Sequence, residues 1–341
     1  MQNNFTPQDA ADLIEAYYQK GFTDGFPVVP PSQDSVSAML AAASLQQDQV
    51  IGEIVTRNVV ITADKVALNA VMAGCLPEYM PVVVSAVRGI CHPDFNYHGM
   101  ATSTGGAALT ILVNGPMAEA IGLNSGENLF GPGFRANMTI GRALRLLMMN
   151  SLNTRPGGLD RSTIGTPAKI SFCFAENEQR SPWEPFHVER GFHPGESTTT
   201  VFACQDIIQV YNQLAQTPEP FLEGVADAMA NMGSMNIVSQ QNLIVVLAGE
   251  HLRLMTKAGW KKQQVKHYLF DHARRSVAEL KKVKRIPGEV QAGDETTYRH
   301  VVNQPDDIVV VSGGGDVGTF SACLLSWGGS RSATAMVTTR I

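Results

Sequence analysis

Between residues 174 and 196 the chain reads FAENEQRSPWEPFHVERGFHPGE. Glu176, Glu178, Glu184, His187, Glu189, Arg190, His193 and Glu196 are set there among Trp183, Phe186 and Phe192. Carboxylates and imidazoles exchange protons near neutral pH, and burial beside aromatic rings shifts the pH at which they do so. His187 is therefore a candidate proton-transfer residue, with Glu184 or Glu189 as the carboxylate that orients it. A metal is the alternative for His187, Glu189 and His193. Their spacing matches no helical zinc pattern, and Pro185 and Pro194 interrupt the segment. A loop that turns its aromatic rings inward and shows its charges to a cleft or subunit interface explains the same residues without a metal.

Three other stretches carry chemistry. In NYHGMATSTGG, His98 is a second proton-transfer candidate, and Thr102 and Ser103 precede a glycine pair in a way that suits anion binding. No G-x-S-x-G elbow accompanies them, so nucleophilic hydrolysis is weakly supported. In LAGEHLRL, Glu250 and His251 open a helix directly after a strand, which is where open α/β sheets bind ligands; His251 joins the acid–base candidates. In SGGGDVG, Gly313, Gly315 and Gly318 match GxGxxG, but the chain ends 23 residues later with no acidic residue to hold a ribose. NAD or FAD is not expected; Gly314 and Gly315 read instead as backbone N–H groups for an anion at a helix start.

The most shaped loop is NSGENLFGPGFRANMTIGRALRLLMMN, residues 124–150. Asn124, Ser125, Gly131, Gly133 and Asn137 give it turn chemistry, and Asn114 ends the strand before it. Arg135 stands at the positive end of the helix that follows, where an anion is favoured twice over. Asn137 or Thr139 is expected to cap that helix, and Arg142 and Arg145 along it call for no ligand.

These loops need a scaffold. The chain has 341 residues, 44% hydrophobic and 17% charged, with net charge −5, enough for a sizeable core and without the basic surface nucleic acid requires. No apolar run reaches the ~20 residues of a membrane span, and the N-terminus shows no leader pattern. Five scattered cysteines with no CxxC suit reduced thiols and a cytoplasmic setting. Cys91 beside His92 is the best thiol–imidazole neighbour, and thiol catalysis is a minor alternative. Helices are predicted over 7–20, 62–75, 137–152, 200–216 and 221–233, with strands over 50–61, 108–116, 168–175 and 332–341. NLIVVLAGEHLRL and DIVVVSGGGDVGTFSACLLSW both read as strand, glycine turn and helix. The fold class is α/β, a mixed or mostly parallel sheet flanked by helices. Residues 1–200 form a loop-rich lobe and 201–341 a second lobe with two strand–turn–helix units.

NSGENLFGPGFRANMTIGRALRLL, FAENEQRSPWEPFHVERGF and VVLAGEHLRLMTKAGWKKQQVKHYLFDHAR together resemble a bacterial family, mostly uncharacterised, associated with UGSC- or CGSC-motif thiol and selenol proteins. The resemblance covers most of the chain. This sequence has no CGSC, so the resemblance implies at most a companion to a thiol- or selenol-bearing partner. SGGGDVG also departs from the Gly-Lys-His-Ser character expected after the glycines. Taken together, the expectation is an enzyme acting on a small, polar, anionic metabolite by lyase-like or group-transfer chemistry, in a homo-oligomer, with no nucleic acid or membrane partner. No cofactor is assigned. The alternatives are a non-catalytic subunit of a complex and a metal-dependent hydrolase.

Overall fold

Eleven strands and the helices between them make up the described part of the chain. They are β1 (Val50–Ile54), β2 (Val59–Thr62), β3 (Ala108–Asn114), β4 (Cys173–Ala175), β5 (Thr198–Tyr211), β6 (Leu243–Leu247), β7 (Arg274–Ser276), β8 (Tyr298–His300), β9 (Ile308–Ser312), β10 (Phe320–Ser326) and β11 (Val337–Arg340). The structure is a computed structural model, and it describes residues 6–328 and 334–341. Residues 1–5, part of the stretch read for a leader, and 332–333, which open the terminal strand segment, lie outside the described residues.

Seven strands form one mixed sheet in the order β4-β3-β5-β10-β6-β9, with β11 also pairing β5. β3 and β4 are parallel, as are β6 and β9; β5 and β10 run antiparallel to their neighbours. The expected α/β class is what the chain adopts. Apart from an irregularity at Gln205 in β5, side chains alternate between two faces, as a pleat requires. Ile111 and Val113, Val245 and Leu247, Val310, Cys323 and Leu325 point to helices. Leu112, Phe174, Phe202, Val246, Val311 and Leu324 point the other way and meet one another in a single cluster. That convergence means the sheet curls on itself. Its two edges are tied where Asn177 N–H, just past β4, donates to the carbonyl of Ser312 in β9 at 2.8 Å.

The helix-covered face is packed in two sections. Helices Ala63–Ala73, Met80–Cys91 and Arg135–Asn150 cover the β3 side, and Pro218–Met229, Gly249–Lys257 and Lys262–His272 cover the β6 side. β5 contributes Val201 and Ala203 to the first section and Val210 to the second. A register shift near Gln205 bends it between them. The sequence boundary drawn near residue 200 falls inside this strand.

Two elements differ from expectation. TVFACQDIIQVY, expected as helix, is β5: its β-branched run Thr198–Val201 favours a strand, and burial on both faces hides the alternation that would have identified it. FSACLLS, expected as the helix of a second strand–turn–helix unit, is β10, and the glycine turn leads from β9 straight into it. Of the two expected strand–turn–helix units, only the one at β6 has its helix, Gly249–Lys257. The turn at 313–318 therefore has no helix start behind it to attract an anion. The strand expected at 168–175 is confined to its last three residues. Among the described residues no helix is long and apolar enough to cross a membrane.

Candidate active site

The carboxyl ends of the parallel pair β3 and β4 lie side by side, and the chain reverses sharply after each. β3 ends at Asn114, and Gly115 then takes φ +85° and ψ −178° before Pro116 starts a short helix. β4 ends at Ala175, and Glu176, Asn177 and Glu178 follow it directly. The loop at 124–134 is pinned beside them. Buried Asn137, the third residue of helix Arg135–Asn150, accepts from Asn124 N–H at 2.8 Å and donates to the carbonyls of Asn124 and Cys173, each at 3.1 Å. Asn137 is thus a clamp rather than the expected cap; Phe134 holds the cap position and Thr139 bonds back to the carbonyl of Arg135.

These elements enclose a cavity of about 580 Å³ lined by Glu119, Asn124, Ser125, Glu176, Glu178 and Gln179, among others. Its base is a network around Asn114. The Asn114 amide donates to Glu176 Oε2 at 2.6 Å and to Glu178 Oε1 at 2.9 Å, so it bridges two carboxyl groups. Phe186 N–H donates to the same Glu176 oxygen at 2.9 Å, and Gly115 N–H donates to Glu178 Oε1 at 2.7 Å. His187 is fully buried, with Nδ1 3.6 Å from Glu178 Oε1. Thr198 lies opposite Asn114 in the β3–β5 register.

The two carboxyl groups sit in unlike surroundings. Burial pushes the Glu176 carboxyl up to about 7, against the pull of the Lys262 charge and the hydrogen bonds from Phe186 and Asn114. Both donors reach Oε2, so the proton belongs on Oε1, which has no hydrogen-bond partner among the described residues. Asn114 Oδ1, both ring nitrogens of His187, Thr198 Oγ1 and Ser312 Oγ share that condition. Buried polar atoms without partners are rare in native proteins, and several of them belong to this network.

The other expected site residues are dispersed. Glu189 forms ion pairs with the nearly buried Lys262 and Lys266, the second at 2.7 Å, and orients no histidine; the carboxylate beside His187 is Glu178, at 3.6 Å and outside hydrogen-bond reach. Glu184 is exposed and offers only its carbonyl, to Lys262 at 2.5 Å. Trp183 and Phe186 pack inward as expected, while His193 lies exposed, so His187, Glu189 and His193 share no site. Among the described residues no group of three or more His, Cys, Asp or Glu could hold a metal.

His98 is exposed and lines none of the cavities described here, and Thr102 donates to its carbonyl at 2.9 Å. Ser103 is used within the fold, accepting from Gly105 N–H at 2.9 Å and from the Trp327 indole at 2.8 Å. His251 belongs to the helix layer. Its ring stacks on Phe221 with centroids 3.8 Å apart, Nε2 donates to the Asn212 carbonyl at 3.0 Å, and Nδ1 accepts from Ser321 at 2.8 Å. Ser321 also lines a cavity of about 410 Å³, whereas His251 lines none of the cavities described. Burial lowers the His251 pKa, as suits an imidazole kept neutral inside a fold.

Gly131, Gly314 and Gly315 line a second cavity of about 410 Å³ with Phe130, Val317 and Phe320, and no charged side chain lines it. Gly133 lines neither cavity. The two cavities are neighbours: Gly314 N–H donates to the Ser125 carbonyl at 3.0 Å, and Arg180 donates to the Gly314 carbonyl at 2.6 Å. Burial raises the thiol pKa of all five cysteines, to about 12 for Cys75, Cys91 and Cys323. His92 Nδ1 accepts from Asp94 N–H at 3.3 Å.

Arg135 is turned away from all of this. Its Nε and Nη2 donate to the Gly74 carbonyl at 3.0 and 2.9 Å, at the negative end of helix Ala63–Ala73. Arg135→Ala should therefore cost about 1–2 kcal/mol of stability in urea denaturation. Unchanged stability would mean that water satisfies Gly74 equally well.

No protein-family model matches the chain, and no curated protein is significantly similar to it. The sequence segment 174–196 does contain the key residues, but Glu176 and Glu178, rather than Glu184 and Glu189, are the ones brought to the cavity. The sequence signal for them is position alone: they are the first polar residues after the strand.

Proposed function

We propose that the chain is an acid–base enzyme acting on a small polar metabolite, with proton transfer at Glu176 as its central step. The observation that carries this reading is the pair of carboxyl groups bridged by Asn114. Glu176 is buried with its pKa raised to about 7, while Glu178 is held by two donors beside His187. A carboxyl group whose pKa burial raises in this way is suited to the acid–base role. With a pKa near the working pH, Glu176 serves in either direction. Protonated, it delivers the Oε1 proton to a leaving oxygen; ionised, it takes a proton from carbon. Elimination of water needs these two half-steps, and hydration is the same pair run in reverse. The lining carries three glutamates and neither lysine nor arginine, which favours a neutral or cationic substrate over the anion expected from Arg135.

A cell extract incubated with the protein in D₂O tests this. At least one metabolite should gain deuterium or be converted, as read by mass spectrometry, and Glu176→Gln should abolish the change. No protein-dependent change, or an equal change with the variant, would sink the reading.

A further inference from the structure

Helix Arg135–Asn150 presents two arginines on its middle turns, and they fare differently. Arg142 is fully engaged: Nε and Nη2 hold Asp24 at 2.8 and 2.7 Å, and Nη2 also reaches the carbonyls of Phe26 and Pro27 at 3.1 and 2.9 Å. Arg145 is not. Its side chain is only 10% exposed, and among the described residues its one hydrogen-bond or ion-pair partner is Asp160 Oδ2, 3.5 Å from Nη1.

Asp160 has little left to give. Lys169 Nζ lies 2.7 and 3.0 Å from its two oxygens, and Ser162 donates to Oδ1 through its hydroxyl at 2.5 Å and its N–H at 3.2 Å. Lys169 also donates to Ser162 Oγ at 2.6 Å. Two cations thus converge on one carboxylate that is only 5% exposed. Burial lowers the Lys169 pKa, and the Arg145 charge adds to that against the pull of Asp160. Unmatched positive charge in a poorly solvated site is costly, and an anion relieves it.

The space for one is present. Arg145, Lys169 and Ser162 line a cavity of about 400 Å³ with Gly165 and Thr166; Asp160 lines it too, with its two oxygens turned to Lys169 and Ser162. We propose that this cavity is a binding site for a small oxyanion of the carboxylate or phosphate type, with Arg145 and Lys169 as its cationic partners. The guanidinium supplies a planar fork of donors, most of them unspent, and the ammonium a point charge on the other side. The site is separate from Glu176, and nothing about it depends on the acid–base reading.

Thermal melts of the purified chain test it, with inorganic phosphate and acetate as probes and chloride at matched ionic strength as reference. Phosphate, acetate or both should raise Tm by about 2 °C or more at saturation. The responding probe tells which oxyanion the site prefers. Arg145→Gln should lose the response. Ile164→Glu should weaken it without disturbing the fold, since Ile164 lines the cavity and is 94% exposed. It covers the case in which Arg145→Gln does not fold. No shift beyond chloride with either probe, or a shift retained in both variants, would overturn the proposal.

Discussion

Glu176→Gln should match the parent in stability near pH 4 and exceed it by on the order of 3 kcal/mol at pH 8. The sign follows from protonation. The folded-state pKa of Glu176, about 7, lies above its ordinary value of 4.5. The stability this group contributes is therefore fully present below about pH 4.5 and is lost as pH rises through 7. Gln mimics the protonated acid: its carbonyl can take the place of Oε2, which accepts from Asn114 and Phe186, and its NH₂ that of Oε1. It cannot ionise, so the penalty disappears from the variant alone. Urea denaturation of both proteins across this range reads the difference directly. An infrared titration adds a second readout: a protonated carboxyl band that fades near pH 7 in the parent and is missing from the variant. A stability difference that stays flat from pH 4 to 8 would place Glu176 in contact with water and remove the basis for its acid–base role.

Gly115→Ala should be the most damaging single methyl in this region, at about 3 kcal/mol or more. Two effects add. The conformation at φ +85° and ψ −178° is essentially restricted to glycine. A Cβ there would also stand 2.2 Å from the Glu196 carbonyl oxygen and 2.8 Å from Ser197 Cα, both backbone atoms that cannot rotate away. Relief would shift the Gly115 N–H, which holds Glu178. Gly122→Ala is the control. Its φ is +64° with nothing within 4 Å of the added methyl, so about 1 kcal/mol is expected. Equal losses at the two positions in chemical denaturation would show that the chain around Glu196 yields easily.

Local signals in the sequence were legible where one element decides its own form. Thr6 caps the first helix with a complete capping box, and β3 stops at Asn114, as Asn-Gly-Pro predicts. They failed for β5 and β10, where burial on both faces erases the two-residue rhythm and leaves an apolar run open to either reading. The site shows the same division. The segment 174–196 announces shifted protonation by its composition. Which of its glutamates is buried depends on where β4 ends and on Asn114, 62 residues away from Glu176. The arginines of helix Arg135–Asn150 are alike in sequence. Their roles are set by distant partners: Gly74 for Arg135, Asp24 for Arg142 and an already occupied Asp160 for Arg145.

β5 has a further meaning for how this chain holds together. Among the described residues it is the one strand that enters both helix-packed sections, with Val201 in the first and Val210 in the second. A domain can melt by itself when its boundary is a linker that few contacts cross. Here, melting of either section pulls on a ladder that the other still uses. The two halves are therefore denied independent lives, and loosening by a mutation in one is felt as lost stability in the whole.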